Sequence, residues 1–193
     1  MKLRPVGDRA ALIELDDNAT AVAVARSLAG RPGLVDVVPG HRTVLVTWEG
    51  DAPSLEVGDV GASGAAPATR HEFAVVYDGP DVDDVARLTG LSPEEVVTRH
   101  AAAEYVVGFL GFAPGFAYLL GGDESLGVPR LDRPRERVPA GSVAIAGPYA
   151  GIYPRESPGG WRLLGRTDTV LFDPARDAPA LLSPGDRVRF VRA

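Results

Sequence analysis

From Tyr105 onward, no apolar run in this sequence lasts more than about five residues before glycine, proline or a charged residue interrupts it. Such short runs, punctuated by Gly and Pro, read as strands. Many of the runs are β-branched or aromatic, among them Ser142-Val143-Ala144-Ile145, Thr169-Val170-Leu171-Phe172 and Arg187-Val188-Arg189-Phe190-Val191. Short strands separated by turn residues fold as a sandwich or a closed barrel. Pro184-Gly185-Asp186 supplies the turn before the last of them.

The N-terminal portion reads differently. Residues 10–15, 34–38 and 43–48 predict strands, while 18–29 carries apolar residues at helical spacing and stops at Gly30, before Pro32. Asp17 or Asn18 is the expected N-cap, and Gly40 the expected turn between the last two strands. Between Glu49 and Arg70 the pattern dissolves into Gly, Ala, Pro and Ser. The expected organisation is therefore an α+β domain over 1–50, a linker over 51–70, and a β-barrel domain over 71–193. The second domain opens with a strand at 72–77, then a helix from Asp81 to Gly90. Ser92-Pro93-Glu94-Glu95 next combines an N-cap serine, proline at the first helical position and a glutamate placed for a capping box, so a helix runs to Ala102.

Absent residue types narrow the chemistry. The chain has no cysteine, which removes thiol nucleophiles, thiolate metal sites and disulfides. Lys2 is the only lysine, so a P-loop lysine, a Schiff-base lysine and a biotinyl lysine are excluded. His41, His71 and His100 are too scattered for a local metal motif, and no metal is expected. Twenty basic against 26 acidic side chains give a charge of −6, which disfavours nucleic acid and anionic membranes as partners. No N-terminal leader pattern or membrane-length apolar window is present, and the cytoplasm is the default location.

Three segments carry the candidate chemistry. Five of the 13 aromatic residues fall between Tyr105 and Tyr118. They are either barrel core or, around Phe112, Pro114, Gly115 and Phe116, the walls of a small-ligand pocket built on a fixed Pro-Gly turn. The second segment, Pro129 to Pro139, holds Arg130, Arg133, Arg135 and Arg137 among three prolines. Arginine forks suit carboxylate or phosphate, and Arg135 and Arg137 share one side of an extended strand. Pairing with Asp132, Glu136 and other acids is the competing role. The third segment is Tyr153 to Trp161. Here Pro158-Gly159 predicts a type II turn, Gly160 a close backbone approach, and Trp161 a buried ring. Ser157 reads as a turn or hydrogen-bonding residue, with nucleophile as the minority option, since no G-x-S-x-G surrounds it. His100 sits at a helix C-terminus, where the dipole favours a positive charge. It becomes a general-base candidate if the fold brings it to these loops together with Tyr77 or Asp81.

The motifs Tyr77-x-Gly79-x-Asp81, Glu95-x4-His100-x4-Tyr105, Gly111-Phe112-x-Pro114-Gly115-Phe116-x-Tyr118, Pro129-Arg130, Pro134-Arg135-x3-Pro139-x-Gly141-Ser142-Val143, Tyr153-Pro154-x2-Ser157-Pro158-Gly159-Gly160-Trp161 and Gly165-Arg166-Thr167 resemble the Kip inhibitor (KipI) family in order and spacing. This family is also known as the PxpB subunit of 5-oxoprolinase and as allophanate hydrolase subunit 1. The resemblance implies a small N-terminal α+β domain followed by a cyclophilin-like β-barrel. It also implies a companion chain of the KipA or PxpC type and a PxpA-like third subunit, which together open the lactam of 5-oxoproline to glutamate with ATP hydrolysis. No cofactor is expected on this chain, ATP being used on another subunit. The expected site has His100, Tyr77 and Asp81 as catalytic candidates, read from the residues rather than from the resemblance. Its substrate contacts would come from the aromatic, arginine and glycine residues of the three segments, with Arg166 and Thr167 beside them. Residues 50–70 read as a degenerate linker where members of the resembled family usually carry a further helix. The alternative function is that of a regulatory module, since some members inhibit a sensor histidine kinase. A peptidyl-prolyl isomerase would rest on fold alone.

Overall fold

The computed structural model describes residues 1–55 and 68–193; most of the expected 51–70 linker, positions 56–67, lies outside them. The chain divides into two compact units, Met1–Ala68 and Thr69–Ala193.

The first unit is an antiparallel sheet of β1 (Lys2–Pro5), β2 (Ala10–Glu14), β3 (Leu34–Pro39) and β4 (Thr43–Trp48) in the order β1-β2-β4-β3, with α1 (Asn18–Leu28) between β2 and β3 in sequence. Asp17 caps α1, its carboxylate accepting the Thr20 N–H at 2.7 Å. The helix spacing then places Ala21, Val24, Ala25 and Leu28 on one stripe, packed with Ile13, Val44 and Val46 of the sheet. The edge strand β1 adds to the three strands expected from sequence. Its four residues are all exposed, so it shows no alternating pattern that would have marked it.

The second unit is built on a seven-stranded sheet. Its strands are β5 (Arg70–Val75), β6 (Glu104–Leu110), β7 (Ala117–Leu120), β9 (Ser142–Ala146), β10 (Tyr149–Ile152), β12 (Arg162–Arg166) and β13 (Arg187–Arg192). They run in the order β12-β9-β10-β7-β6-β13-β5, antiparallel except for β13 beside β5. The two edge strands meet: Val76 and Arg166 exchange both backbone hydrogen bonds at 2.9 Å, and the Gly79 and Asp81 N–H groups continue the seam to the Leu164 and Leu163 carbonyls. A barrel-like closure results. Gly79 and Gly165 permit it, since a Cβ on either would overlap the facing backbone, at the Leu163 carbonyl and the Val76 carbonyl respectively.

After the seam, α2 (Val82–Thr89) ends on Gly90 in the left-handed region, and α3 (Pro93–Ala102) begins with the full Ser92/Glu95 capping box. Their Val85, Ala86 and Val96 join the main core with Phe73, Val75, Tyr105, Val107, Leu119, Ile145, Leu164 and Phe190. A two-stranded ribbon, β8 (Arg135–Val138) with β11 (Ser157–Gly159), contributes a second layer. Every residue of β9 is buried, because Val143 and Ile145 join the main core while Ala144 and Ala146 join a separate aromatic cluster with Val138 of the ribbon.

Two expected features do not form. Thr169–Phe172 is not a strand: its sole bridge among the described residues is Phe172 with Ala180. The Thr167 and Thr169 hydroxyls are in contact at 3.3 Å, Val170 is 55% exposed, and the segment serves to insert Leu171 into the core. Pro158-Gly159 is likewise not a type II turn, being part of β11, and Gly159 is absent from the positive-φ residues. Glycine is needed there because a Cβ would overlap the Tyr153 hydroxyl.

Candidate active site

The Gly-Phe-Ala-Pro-Gly-Phe segment folds as its sequence suggests. The Phe116 N–H donates to the Ala113 carbonyl at 2.9 Å, with Pro114 and Gly115 in the middle of the turn and Gly115 at φ +80°. That is a type II turn. A Cβ on Gly115 would come within 2.6 Å of the Phe172 Cβ, so glycine is required twice over. Phe112 holds the left-handed region without being glycine (φ +66°) and is 58% exposed. A strained, exposed aromatic of this kind costs about 1–3 kcal/mol and is characteristic of functional positions.

The turn delivers Phe116 into the aromatic cluster. Its ring meets Phe112, Tyr118, Tyr153 and Trp161 edge-on, with centroids 5.2–5.4 Å apart. Each such pair contributes about 0.5–1.5 kcal/mol beyond its buried area. Tyr118 stands edge-on to both Tyr149 and Trp161, while Tyr149 and Trp161 lie within 19° of parallel. Burial raises the Tyr153 phenol pKa, opposed by the Trp161 backbone N–H that donates to it and by the nearby Arg130 and Arg135 guanidiniums. Phe116, Tyr153 and Trp161 therefore converge, and Arg135 lies within electrostatic reach of the same phenol.

Beside this cluster is a depression of about 380 Å³ lined by Tyr118, Pro129, Arg130, Ala146, Gly147, Pro148, Tyr149 and Trp161. Arg130 is held between two fixed points. The Pro129 carbonyl accepts from Arg162 Nε at 3.1 Å, and the Leu131 N–H donates to the Gly160 carbonyl at 2.7 Å. The close backbone approach expected at Gly160 does not occur: its carbonyl takes an ordinary hydrogen bond, and a Cβ there would meet nothing nearer than 3.7 Å.

The ribbon separates Arg135 from Arg137. The register shifts between the Ser157–Val138 and Gly159–Arg135 pairs, breaking the alternation that would have placed both arginines on one side. Arg135 turns inward and donates Nη2 to Asp81 Oδ1 at 2.6 Å, whereas Arg137 is 82% exposed and faces Glu156 at 4.0 Å. The expected arginine pair is not formed. Ser157 is strand rather than turn, and its hydroxyl is buried without a partner among the described residues, as is Arg135 Nη1.

The three catalytic candidates occupy two places. His100 Nδ1 and the Tyr77 hydroxyl lie 2.8 Å apart, and the imidazole stacks on Phe190 with centroids 4.6 Å apart, beside Tyr105. His100 is fully buried, and desolvation pushes its pKa down to about 3, so the expected positive charge at the helix end is absent. Burial raises the pKa of Tyr77 as well. This pair packs the barrel interior and does not face the aromatic depression. Asp81 is elsewhere: it stands at the N-cap of α2 without capping it, because Oδ1 takes Arg135 and Oδ2 takes the Leu163 N–H at 2.7 Å. Arg166 and Thr167 line another hollow, with Ala74, Val76, Asp168, Thr169 and Ala193, and Arg166 pairs with Asp78 at 2.9 Å. Among the described residues, no group of three or more histidine and carboxylate side chains could hold a metal ion.

The family described as carboxyltransferase domain, subdomain C and D, matches residues 1–182. The PxpB subunit of 5-oxoprolinase from Escherichia coli O157:H7 is 42% identical over 204 residues, covering 96% of this chain and 93% of that protein. The chain belongs to the Kip inhibitor, or PxpB, family. Among solved structures, TTHA0988 superposes with a TM-score of 0.81 at 38% identity, covering 96% of this chain and 40% of that one. The urea amidolyase of Saccharomyces cerevisiae is 33% identical over 248 residues, covering 97% of this chain and 13% of the enzyme. This chain therefore spans well under half of either of those two proteins. Of the eight residues that line the depression, the sequence-based site held Arg130 and Trp161, and the two aromatic walls Tyr118 and Tyr149 were among the six it lacked. Tyr118 was legible as the last aromatic of the Gly-Phe motif. Tyr149 was signalled only by following Gly147-Pro148, a two-residue connection with Gly147 at φ +54° that closes the β9–β10 hairpin.

Proposed function

We propose that this chain is a component of a cytoplasmic 5-oxoprolinase, working with a KipA/PxpC-like companion and a PxpA-like third subunit to open the lactam of 5-oxoproline to glutamate. The observation that carries this reading is the 42% identity to the E. coli PxpB subunit of 5-oxoprolinase across nearly the full length of both chains. A five-membered lactam closes intramolecularly at high effective concentration, so opening it requires coupling to a favourable reaction. ATP hydrolysis supplies that coupling. We place the nucleotide on another subunit, since Lys2 is the only lysine here and no P-loop exists to cradle phosphates.

This chain's contribution is the aromatic and arginine-rimmed depression rather than a nucleophile. Ser157 has no activating base among the described residues, and His100 is sealed and neutral. Reconstitution with the two companion subunits tests the proposal: ATP-dependent loss of 5-oxoproline is expected, and omission of this chain abolishes it. A complex that forms but consumes no 5-oxoproline refutes it.

A further inference from the structure

Resting on that reading, we propose that the depression between Tyr118, Tyr149 and Trp161 is the binding site for the ring acid itself, with the lactam ring against the aromatic walls and its carboxylate on Arg130. A flat, small ring bearing one carboxylate needs apolar faces and a single cation at the edge. The Tyr118, Tyr149 and Trp161 rings line the depression, Trp161 with 3% of its surface exposed, and about 380 Å³ accommodates a molecule of this size.

The choice of cation follows from position as well as pairing: Arg133 and Arg155 also have no carboxylate partner among the described residues, but neither lines the depression. Arg135 is taken by Asp81, Arg137 faces Glu156, Arg162 is paired with Asp84, and Arg166 with Asp78. Arg130 has no carboxylate partner among the described residues and lines the depression directly. The backbone on both sides of it is pinned, at Pro129 by Arg162 and at Leu131 by Gly160, so the guanidinium is presented from a fixed rim. Preorganisation of this kind reduces the cost of ordering on binding. The walls and the cation all belong to this chain, so the isolated chain binds the substrate.

The chain holds two tryptophans, Trp48 and Trp161. In a Trp48→Phe background, the fluorescence of Trp161 reports the site. Titration with 5-oxoproline is expected to give a saturable change, and Arg130→Gln to weaken it at least ten-fold. The same substitution should leave binding of 2-pyrrolidinone, which has the ring but no carboxylate, within two-fold. Calorimetry on the chain with both tryptophans repeats the comparison without the background substitution. No saturable response to 5-oxoproline by either method, or an Arg130→Gln affinity within two-fold of the parent, overturns the site. Failure of the functional reading is separate: it shows as a wild-type reconstituted complex that consumes no 5-oxoproline, whatever the free chain binds.

Discussion

Arg135 Nη2 meets Asp81 Oδ1 at 2.6 Å across 54 residues of chain, while the other oxygen of the same carboxylate takes the Leu163 N–H. One side chain therefore ties the outer ribbon to the barrel seam. Asp81 has 8% of its side chain exposed and Arg135 28%, so removing the carboxylate charge strands a poorly solvated cation. Asp81→Asn is expected to cost about 2–3 kcal/mol, below the range for fully buried pairs because Arg135 retains some water. Chemical denaturation measures it, and a loss under about 0.5 kcal/mol would remove the pair from the set of structural ties.

The seam gives a second expectation. A Cβ at Gly165 overlaps the Val76 carbonyl, which is backbone and cannot rotate away. Gly165→Ala should therefore destabilise the second unit by about 3 kcal/mol, at the upper end of overpacking effects. Gly160→Ala, where the nearest atom is 3.7 Å away, should cost far less. Equal thermal midpoints for the two variants would contradict the geometry of the closure.

His100 makes stability depend on pH. In the unfolded chain it takes up a proton below about pH 6.5, whereas the folded side chain resists protonation until about pH 3. Between those values the unfolded state binds more protons, so this contribution is intact above pH 6.5 and is lost as the pH falls. His100→Gln removes the titrating group. The stability difference between wild type and variant should shrink from about pH 7 to about pH 4, and a difference independent of pH would mean that His100 is not buried neutral.

Tyr153 accepts the Trp161 backbone N–H. Tyr153→Phe leaves that donor without its partner beside the aromatic depression, at a cost of about 1–2 kcal/mol. Hydrogen exchange at the Trp161 amide should accelerate; unchanged protection would show that the bond does not persist in solution.

Much of this architecture was legible because some signals are local. The Ser92/Glu95 capping box and the Pro114-Gly115 turn each span only four residues, and both form as read. The strand character of Thr169–Phe172 was misleading because β-branched residues report that a segment tolerates extension, not that a neighbouring strand exists to pair with it. The supposed kinship of Arg135 and Arg137 failed for a different reason: a register shift in a ribbon of three- and four-residue strands leaves no trace in residue spacing. The depression itself draws Tyr118, Arg130, Tyr149 and Trp161 from separate strands and loops. The aromatic content marked a pocket, but its membership depended on long-range pairing.

The parallel pairing of β5 with β13 joins the first strand of the second unit to its last. Such a pairing has the longest possible loop to close, which places it late among folding events. During synthesis the β5 edge would wait, unpaired, until β13 had cleared the ribosome, and for that interval it would be open to mispairing with other nascent chains.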